Sequence, residues 1–483
     1  MKDSRAKCRL TVLPIIALLC SVAIADNLYW TGGTSGDWST AVNWWNGSRS
    51  AVAGNYPNGK NDQYGHSAYF DQTLADDKSK IVQRTVSFLR AERMRGSVYV
   101  YDGTLADPIV FSAIENYGLS VTNSANTFRI GKDGQAGWLK MQGGMFSANP
   151  PLLVCNGGWI MDGDASFSTT NNIQIGSAKN CSATAVFNSG SITQTKVGGG
   201  GYFYVGYSQG SVGTVTNAGA TITIANSFRM GYAASTSAYY YQSGGSLNID
   251  NRLVIGYASD SENSVFEIAG GTVTMAGTPI RFAYSGSLLL KGGIVSPTSI
   301  MVESSSNDKN VFLFDGGTLK AQRGNNSMFS ASDKLALKVG ASGGVFDTAG
   351  YAGITFADDF ESAVDNGTDG GMRFTGGGSA NITGAIGYTG PTTVELGTVV
   401  TIADRANIFG EGKGGLRCSL PDPKPEGSTY VTILTTTGAD SFTAADLNKC
   451  AAAAGAGSLS FKISDNGKSI LCKRSDGFTI TFY

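Results

Sequence analysis

A diglycine turn returns at a nearly regular interval through the middle of this 483-residue chain, with β-rich sequence on both sides each time. The clearest copies are Gly143-Gly144, Gly244-Gly245, Gly270-Gly271, Gly292-Gly293, Gly316-Gly317 and Gly343-Gly344; degenerate ones stand at Gly163, Gly190 and Gly219. A period of about 25 residues without helix-length apolar patterns marks a coil that stacks one turn on the next. The expected fold class is therefore all-β: a right-handed parallel β-helix with a small α+β C-terminal cap. The hand follows the general rule for parallel crossovers.

Two kinds of strand can be read inside each repeat. The first is a triplet closed by glycine: Phe128-Arg129-Ile130-Gly131, Ile173-Gln174-Ile175-Gly176, Phe203-Tyr204-Val205-Gly206, Phe228-Arg229-Met230-Gly231 and Leu253-Val254-Ile255-Gly256. Ile280-Arg281-Phe282-Ala283 is a weaker copy. Alternation turns the outer two side chains of each triplet inward and the middle one outward. The second kind runs into and out of the diglycine, as at Phe266, Ile268, Val273 and Met275. Each turn then has three sides around an apolar interior. Tyr207, Tyr232, Tyr257 and Tyr284 follow the triplets at the same period. Stacked turns place such rings about 4.8 Å apart on one edge. That column either stabilises itself by ring stacking or offers a strip to glycans, with Arg129, Arg229 and Arg281 outward nearby for carboxylate-bearing sugars. The candidate ligand-binding residues are Tyr207, Tyr232, Tyr257, Tyr284, Arg229 and Arg281.

Residues 1–25 read as a signal peptide. Lys2, Arg5, Lys7 and Arg9 precede an apolar stretch, and Ala23-Ile24-Ala25 is a small-x-small cleavage site. The mature chain is expected to be secreted or at a cell surface, with no transmembrane segment. Residues 26–70 hold Trp30, Trp38, Trp44 and Trp45 and read as an aromatic N-terminal cap; 71–417 carry the coil. Residues 418–483 form a C-terminal cap behind the turn Pro421–Gly427, with one helix, Ala444 to Ala454, begun by a Thr443/Asp446 capping box. The formal net charge of −1 and 15% charged residues leave no basic face for nucleic acid.

Of seven cysteines, Cys155, Cys181, Cys418, Cys450 and Cys472 follow the signal segment. Cys155 and Cys181 lie one repeat apart and are a disulfide candidate; two stacked unbonded thiols fit the spacing equally. The other three leave one thiol over and match no zinc spacing.

Two segments resemble a known group. Trp30-Thr31-Gly32-Gly33, Asp37-Trp38 and Asn43-Trp44, followed by Pro57, Asp62 and Phe70, resemble the opening of bacterial autotransporter-like passengers. Gly377-Gly378-Ser379-Ala380-Asn381-Ile382-Thr383-Gly384, Tyr388-Thr389-Gly390-Pro391-Thr392-Thr393-Val394 and Gly397-Thr398 are similar to the autotransporter-associated β-strand repeat. The resemblance implies a right-handed β-helix passenger exported to a bacterial surface, usually adhesive or structural. The stretch from Gly397 to Tyr483 is too short for the translocator barrel of that family.

The chain has one histidine, His66, so imidazole-based nucleophile schemes have a single candidate. Asp358, Asp359, Glu361, Asp365 and Asp369 are the best carboxylate group for glycan hydrolysis, against the reading as solvated turn residues; Asp71, Asp76 and Asp77 are weaker. No catalytic residue, metal site or cofactor is assigned. The expected function is a non-enzymatic exported β-helix protein, adhesive or structural, with polysaccharide or cell-surface glycans as partners. The alternative is a β-helix polysaccharide lyase or glycoside hydrolase, and a passenger cut from a larger secretion system is a third reading.

Overall fold

The computed structural model describes residues 27–31, 36–45, 57, 66–71, 83–114, 116–195, 200–303, 310–422 and 429–474. The signal segment, Asp62, Asp76, Asp77 and most of the 421–427 turn lie outside them. Each coil turn lays one strand on each of three sheets, for example Phe228–Met230, Ser237–Gln242 and Ser246–Ile249. The next turn repeats them in register, with Phe228 opposite Leu253, Tyr240 opposite Phe266 and Leu247 opposite Val273. Among the described residues the three sheets hold 19, 12 and 15 strands, and nearly every pairing is parallel. The architecture is a parallel β-helix.

Inward residues form vertical ladders because stacked turns bring like positions together. Val98, Phe128, Leu152, Ile173, Phe203, Phe228, Leu253 and Ile280 follow one another on the first sheet, all essentially sealed from solvent. Phe203 and Phe228 stack at 5.0 Å between centroids, with planes 9° apart. The diglycines turn the corner from the second sheet to the third. Gly245, Gly271 and Gly293 have φ of 64°, 70° and 63°. At Gly271 a Cβ would collide with the Gly245 carbonyl below, so only glycine fits.

At the N-terminal end, Trp30, Trp38 and Trp44 fill the core beside Phe70, Phe88 and Phe111. The Trp44 ring meets Trp38 at 4.7 Å and Trp30 at 5.1 Å. Their indole N–H groups donate to Gln83 O, Pro57 O and Trp38 O, so no buried donor is orphaned there. Asn27–Trp30 and Ser67–Phe70 are already parallel rungs of the first sheet, capped by Trp44–Trp45 running antiparallel.

Three features differ from the expectation. A rung at Leu152–Val154 lacks the closing glycine that marks the others, so the triplet pattern omits it; Cys155 stands in that place. The C-terminal helix spans only Ala444–Leu447: its Thr443/Asp446 capping box forms, but Cys450–Ala452 becomes a strand on Leu416–Ser419. The open edge of the third sheet offers those residues backbone partners, which outweighs the helix preference of alanine. A second short helix, Ala406–Phe409, buries Ile408 and Phe409. The parallel ladder thus continues beyond residue 417, through Val431–Thr436 and Cys450–Ala452, before an antiparallel hairpin of Leu459–Ile463 and Ser469–Arg474 closes it. Among the described residues no helix is long and apolar enough to cross a membrane.

Candidate functional site

The corner between the first and second sheets carries the tyrosine register. Gly206, Gly231 and Gly256, with φ of 68°, 65° and 67°, turn the chain out of the triplets, and the next residue is laid along the outer edge. There Tyr207 and Tyr232 stack at 5.2 Å with planes 2° apart, and Tyr232 and Tyr257 at 5.0 Å and 25°. Tyr284 holds the same place one turn on, its backbone N–H donating to Gly256 O at 2.9 Å. Tyr257 is 36% exposed; Tyr207, Tyr232 and Tyr284 are half-buried. Stacking occupies ring faces, so what the column offers a ligand is rims and hydroxyls rather than open faces.

Beside the column lies the outward face of the first sheet, where Tyr204, Arg229, Val254 and Arg281 succeed one another. Tyr204 points outward yet is only 5% exposed, because Tyr207 and Tyr232 meet it edge-on at 4.9 and 4.6 Å. That burial pushes its hydroxyl above the ordinary phenol range, against the pull of Arg229. The Arg229 guanidinium lies 4.3 Å from the Tyr202 ring centre and 4.8 Å from that of Tyr257. Among the described residues no carboxylate pairs with it, and its Nε is buried without a hydrogen-bond partner. A cation held by aromatic rings and lacking a counter-ion is a ready anion receptor.

The other candidates fare differently. Arg281 is spent on Glu303 at 3.2 Å, so it is not open to an acidic ligand as expected; Glu303 follows the strand of the next turn, where sequence spacing does not reveal it. Arg129 stands against Tyr101 in a second cluster that the sequence reading missed. There Tyr29, Tyr69 and Tyr99 succeed one another on the same outward face, with Tyr69 on Tyr99 at 4.6 Å. Lys132 lies 4.5 Å from the Tyr101 ring centre and 3.6 Å from Asp71. Burial pushes the Tyr69 and Tyr101 hydroxyls up to about 12. The signal that could have found this cluster and Tyr204 is the middle position of Ala68-Tyr69-Phe70, Val98-Tyr99-Val100 and Phe203-Tyr204-Val205.

Cys155 and Cys181 carry no disulfide, contrary to the candidate bond. The lower turn crosses its corner on Cys155 and Asn156 alone, whereas the next uses the longer stretch Gly176–Cys181. Ser177 of that stretch sits against the Cys155 sulfur at 3.0 Å. Burial raises both thiols above their usual range.

The acidic group divides. Asp369 resists the upward push of burial because the N–H groups of Thr389, Gly390 and Gly371 donate to it at 2.7, 2.8 and 2.9 Å; it ties two turns together. Asp365 is exposed. Asp358, Asp359 and Glu361 border an open depression with Ser332, Asp333 and Leu335. Ser332 N–H donates to Asp358 Oδ1 at 2.6 Å, while Oδ2 is buried without a partner. Burial raises the Asp358 carboxyl to about 6. His66 is half-buried beside the Ser67–Phe70 rung. Among the described residues no group of three or more His, Cys, Asp or Glu side chains is arranged to hold a metal ion. Comparison with family models, curated proteins and solved structures returns no match.

Proposed function

We propose that this chain is an exported, non-enzymatic β-helix with an adhesive or structural role outside the cell, and that the tyrosine–arginine strip of the first sheet binds acidic glycans. The observation that carries this reading is Arg229, held between the Tyr202 and Tyr257 rings with no carboxylate partner among the described residues. A carboxylate- or sulfate-bearing sugar supplies the missing charge, and the hydroxyls of Tyr207, Tyr232 and Tyr257 supply hydrogen bonds at one per turn. A stiff coil repeats such weak contacts along one edge, and they add through multivalency. Export rests on the signal-like residues 1–25, and the surface role on the autotransporter-like segments near Trp30 and Gly377. The test is a glycan array on the mature chain together with a reducing-sugar assay. Retention of acidic glycans that Tyr232→Ala/Tyr257→Ala weakens, with no sugar release, is the expected result; array binding unchanged by the double substitution contradicts the strip.

One observation favours the hydrolase or lyase alternative: the Asp358 carboxyl, raised to about 6, suits a general acid. That reading requires sugar release that Asp358→Asn abolishes.

A further inference from the structure

The outward faces of the second and third sheets differ in chemistry. On the third sheet successive turns present small hydroxyls: Ser166 and Ser168, Ser191 and Thr193, Thr221 and Thr223. Ser191 Oγ is hydrogen-bonded to Ser166 Oγ at 3.1 Å, and the face suits water. The second sheet does the reverse. One of its outward columns carries Val110, Ile160, Val186, Tyr241, Leu289 and Leu313. The neighbouring column carries Trp138, Tyr239, Val265 and Val311. Tyr239 and Tyr241 are 37% and 38% exposed. Between Val110 and Leu313 the charges in these two columns are Lys140 and Glu267. Each is paired within the chain, to Asp162 at 2.7 Å and to Lys291 at 3.0 Å. An outward apolar face of this length marks an interface.

We propose that this face binds a second copy of the chain, the two coils lying antiparallel about a two-fold axis that runs along the strands between the Val186 and Thr216 turns. The dimer uses the second sheet alone and does not depend on the glycan reading of the first.

Three observations select a copy of itself as the occupant. Side-chain rows repeat at every turn, about 4.8 Å apart, and a coil of the same rise can meet them row for row. The axis also pairs unlike positions with one another. Lys140 and Glu267 stand five turns apart in one column, at equal distances from the axis, so Lys140 meets the partner subunit's Glu267. In the neighbouring column Gly158 meets the partner subunit's Tyr239. The Trp138 ring lies over that glycine, where a Cβ would stand 2.5 Å from Trp138 Cζ3, so an aromatic ring meets an aromatic ring. Finally, the area suffices. The ten turns from Thr85 to Leu313 are symmetric about the axis. They span about 45 Å along the coil and about 20 Å across the strands. The face therefore covers about 900 Å² per copy, against about 800 Å² in a stable interface of standard size.

The test is sedimentation equilibrium of residues 26–483 from about 0.1 to 100 μM, with phosphatidylcholine vesicles in a parallel arm. The expected result is a reversible monomer–dimer equilibrium with a dissociation constant at or below about 10 μM. Tyr241→Lys, an outward substitution that leaves the core intact, should abolish the dimer. Glu267→Lys sets like charges against each other at two places and should weaken it at least about tenfold. Adding Lys140→Glu to that chain should restore it, and Thr223→Lys on the third sheet should change nothing. Circular dichroism of each variant checks that the coil is intact. A monomer at every concentration overturns the proposal, as does a dimer that Thr223→Lys weakens as much as Tyr241→Lys. A monomer that sediments with the vesicles assigns the face to a lipid surface and overturns it too. Without recovery in the Lys140→Glu/Glu267→Lys chain, the antiparallel register is wrong.

Discussion

At the scale of single residues, neighbours along the chain have opposite fates. Phe228 and Arg229 are adjacent, yet one is sealed in the core and the other lies among tyrosine rings outside. Phe228→Ala should cost about 3–5 kcal/mol, since Phe203, Tyr240 and Phe266 all lose a packed face. Arg229→Gln should cost about 1 kcal/mol or less, the worth of a partly exposed cation–π contact; urea unfolding of the two variants separates them. Asp358 gives a pH test. Its folded carboxyl titrates near 6, above the ordinary value of 3.8, so the protonated form is favoured by folding. That contribution is complete below the unfolded pKa and is lost as pH rises through 6. Asp358→Asn should therefore stabilise the chain by about 1–2 kcal/mol at pH 7.5 and by little at pH 4. Equal effects at both pH values would show that the side chain is solvated. The tyrosine register is legible in the sequence because a fixed period places equivalent residues on one edge. The Glu303 partner of Arg281 is not, because pairing across turns depends on where each corner releases the chain.

At the scale of elements, the triplet strands are legible wherever a glycine closes them, and the Leu152–Val154 rung escapes notice where Cys155 replaces it. Glycine is the visible part of the code because the corner conformation is one that side chains rarely adopt. Gly256 has φ of 67°, and a Cβ there would collide with the Ser285 carbonyl. Gly256→Ala should cost at least about 2 kcal/mol and disturb the Tyr257 position, whereas Gly277→Ala, in open space, should show only the conformational part of that cost. Thermal unfolding of the pair checks this, and equal losses would contradict the collision. The short C-terminal helix shows the opposite failure. Its alanine-rich local preference is plain in the sequence, but the sheet edge that captures Cys450–Ala452 is made by Leu416–Ser419, far earlier in the chain.

At the scale of the whole molecule, apolar ladders run the length of the coil, and its ends are the only places where they would meet water. Trp30, Trp38 and Trp44 close one end, and the hairpin with Cys472 closes the other. The 15 strands of the third sheet among the described residues, at about 4.8 Å each, give a rod of about 70 Å. Small-angle scattering of residues 26–483 should show one long axis near that length; a compact, equiaxial particle would contradict the stacking. Solenoid architecture is the most legible property of the sequence, since it is written in a period. The environment of its surface side chains is less legible, because partners such as Glu303 for Arg281 meet across turns and follow no spacing of their own. The most direct measurement of the proposed strip is therefore a titration of residues 26–483 with an acidic polysaccharide selected on the array, repeated with Arg229→Gln. Affinity should fall at least about tenfold with the unfolding midpoint nearly unchanged. Equal affinity of the two chains would contradict it.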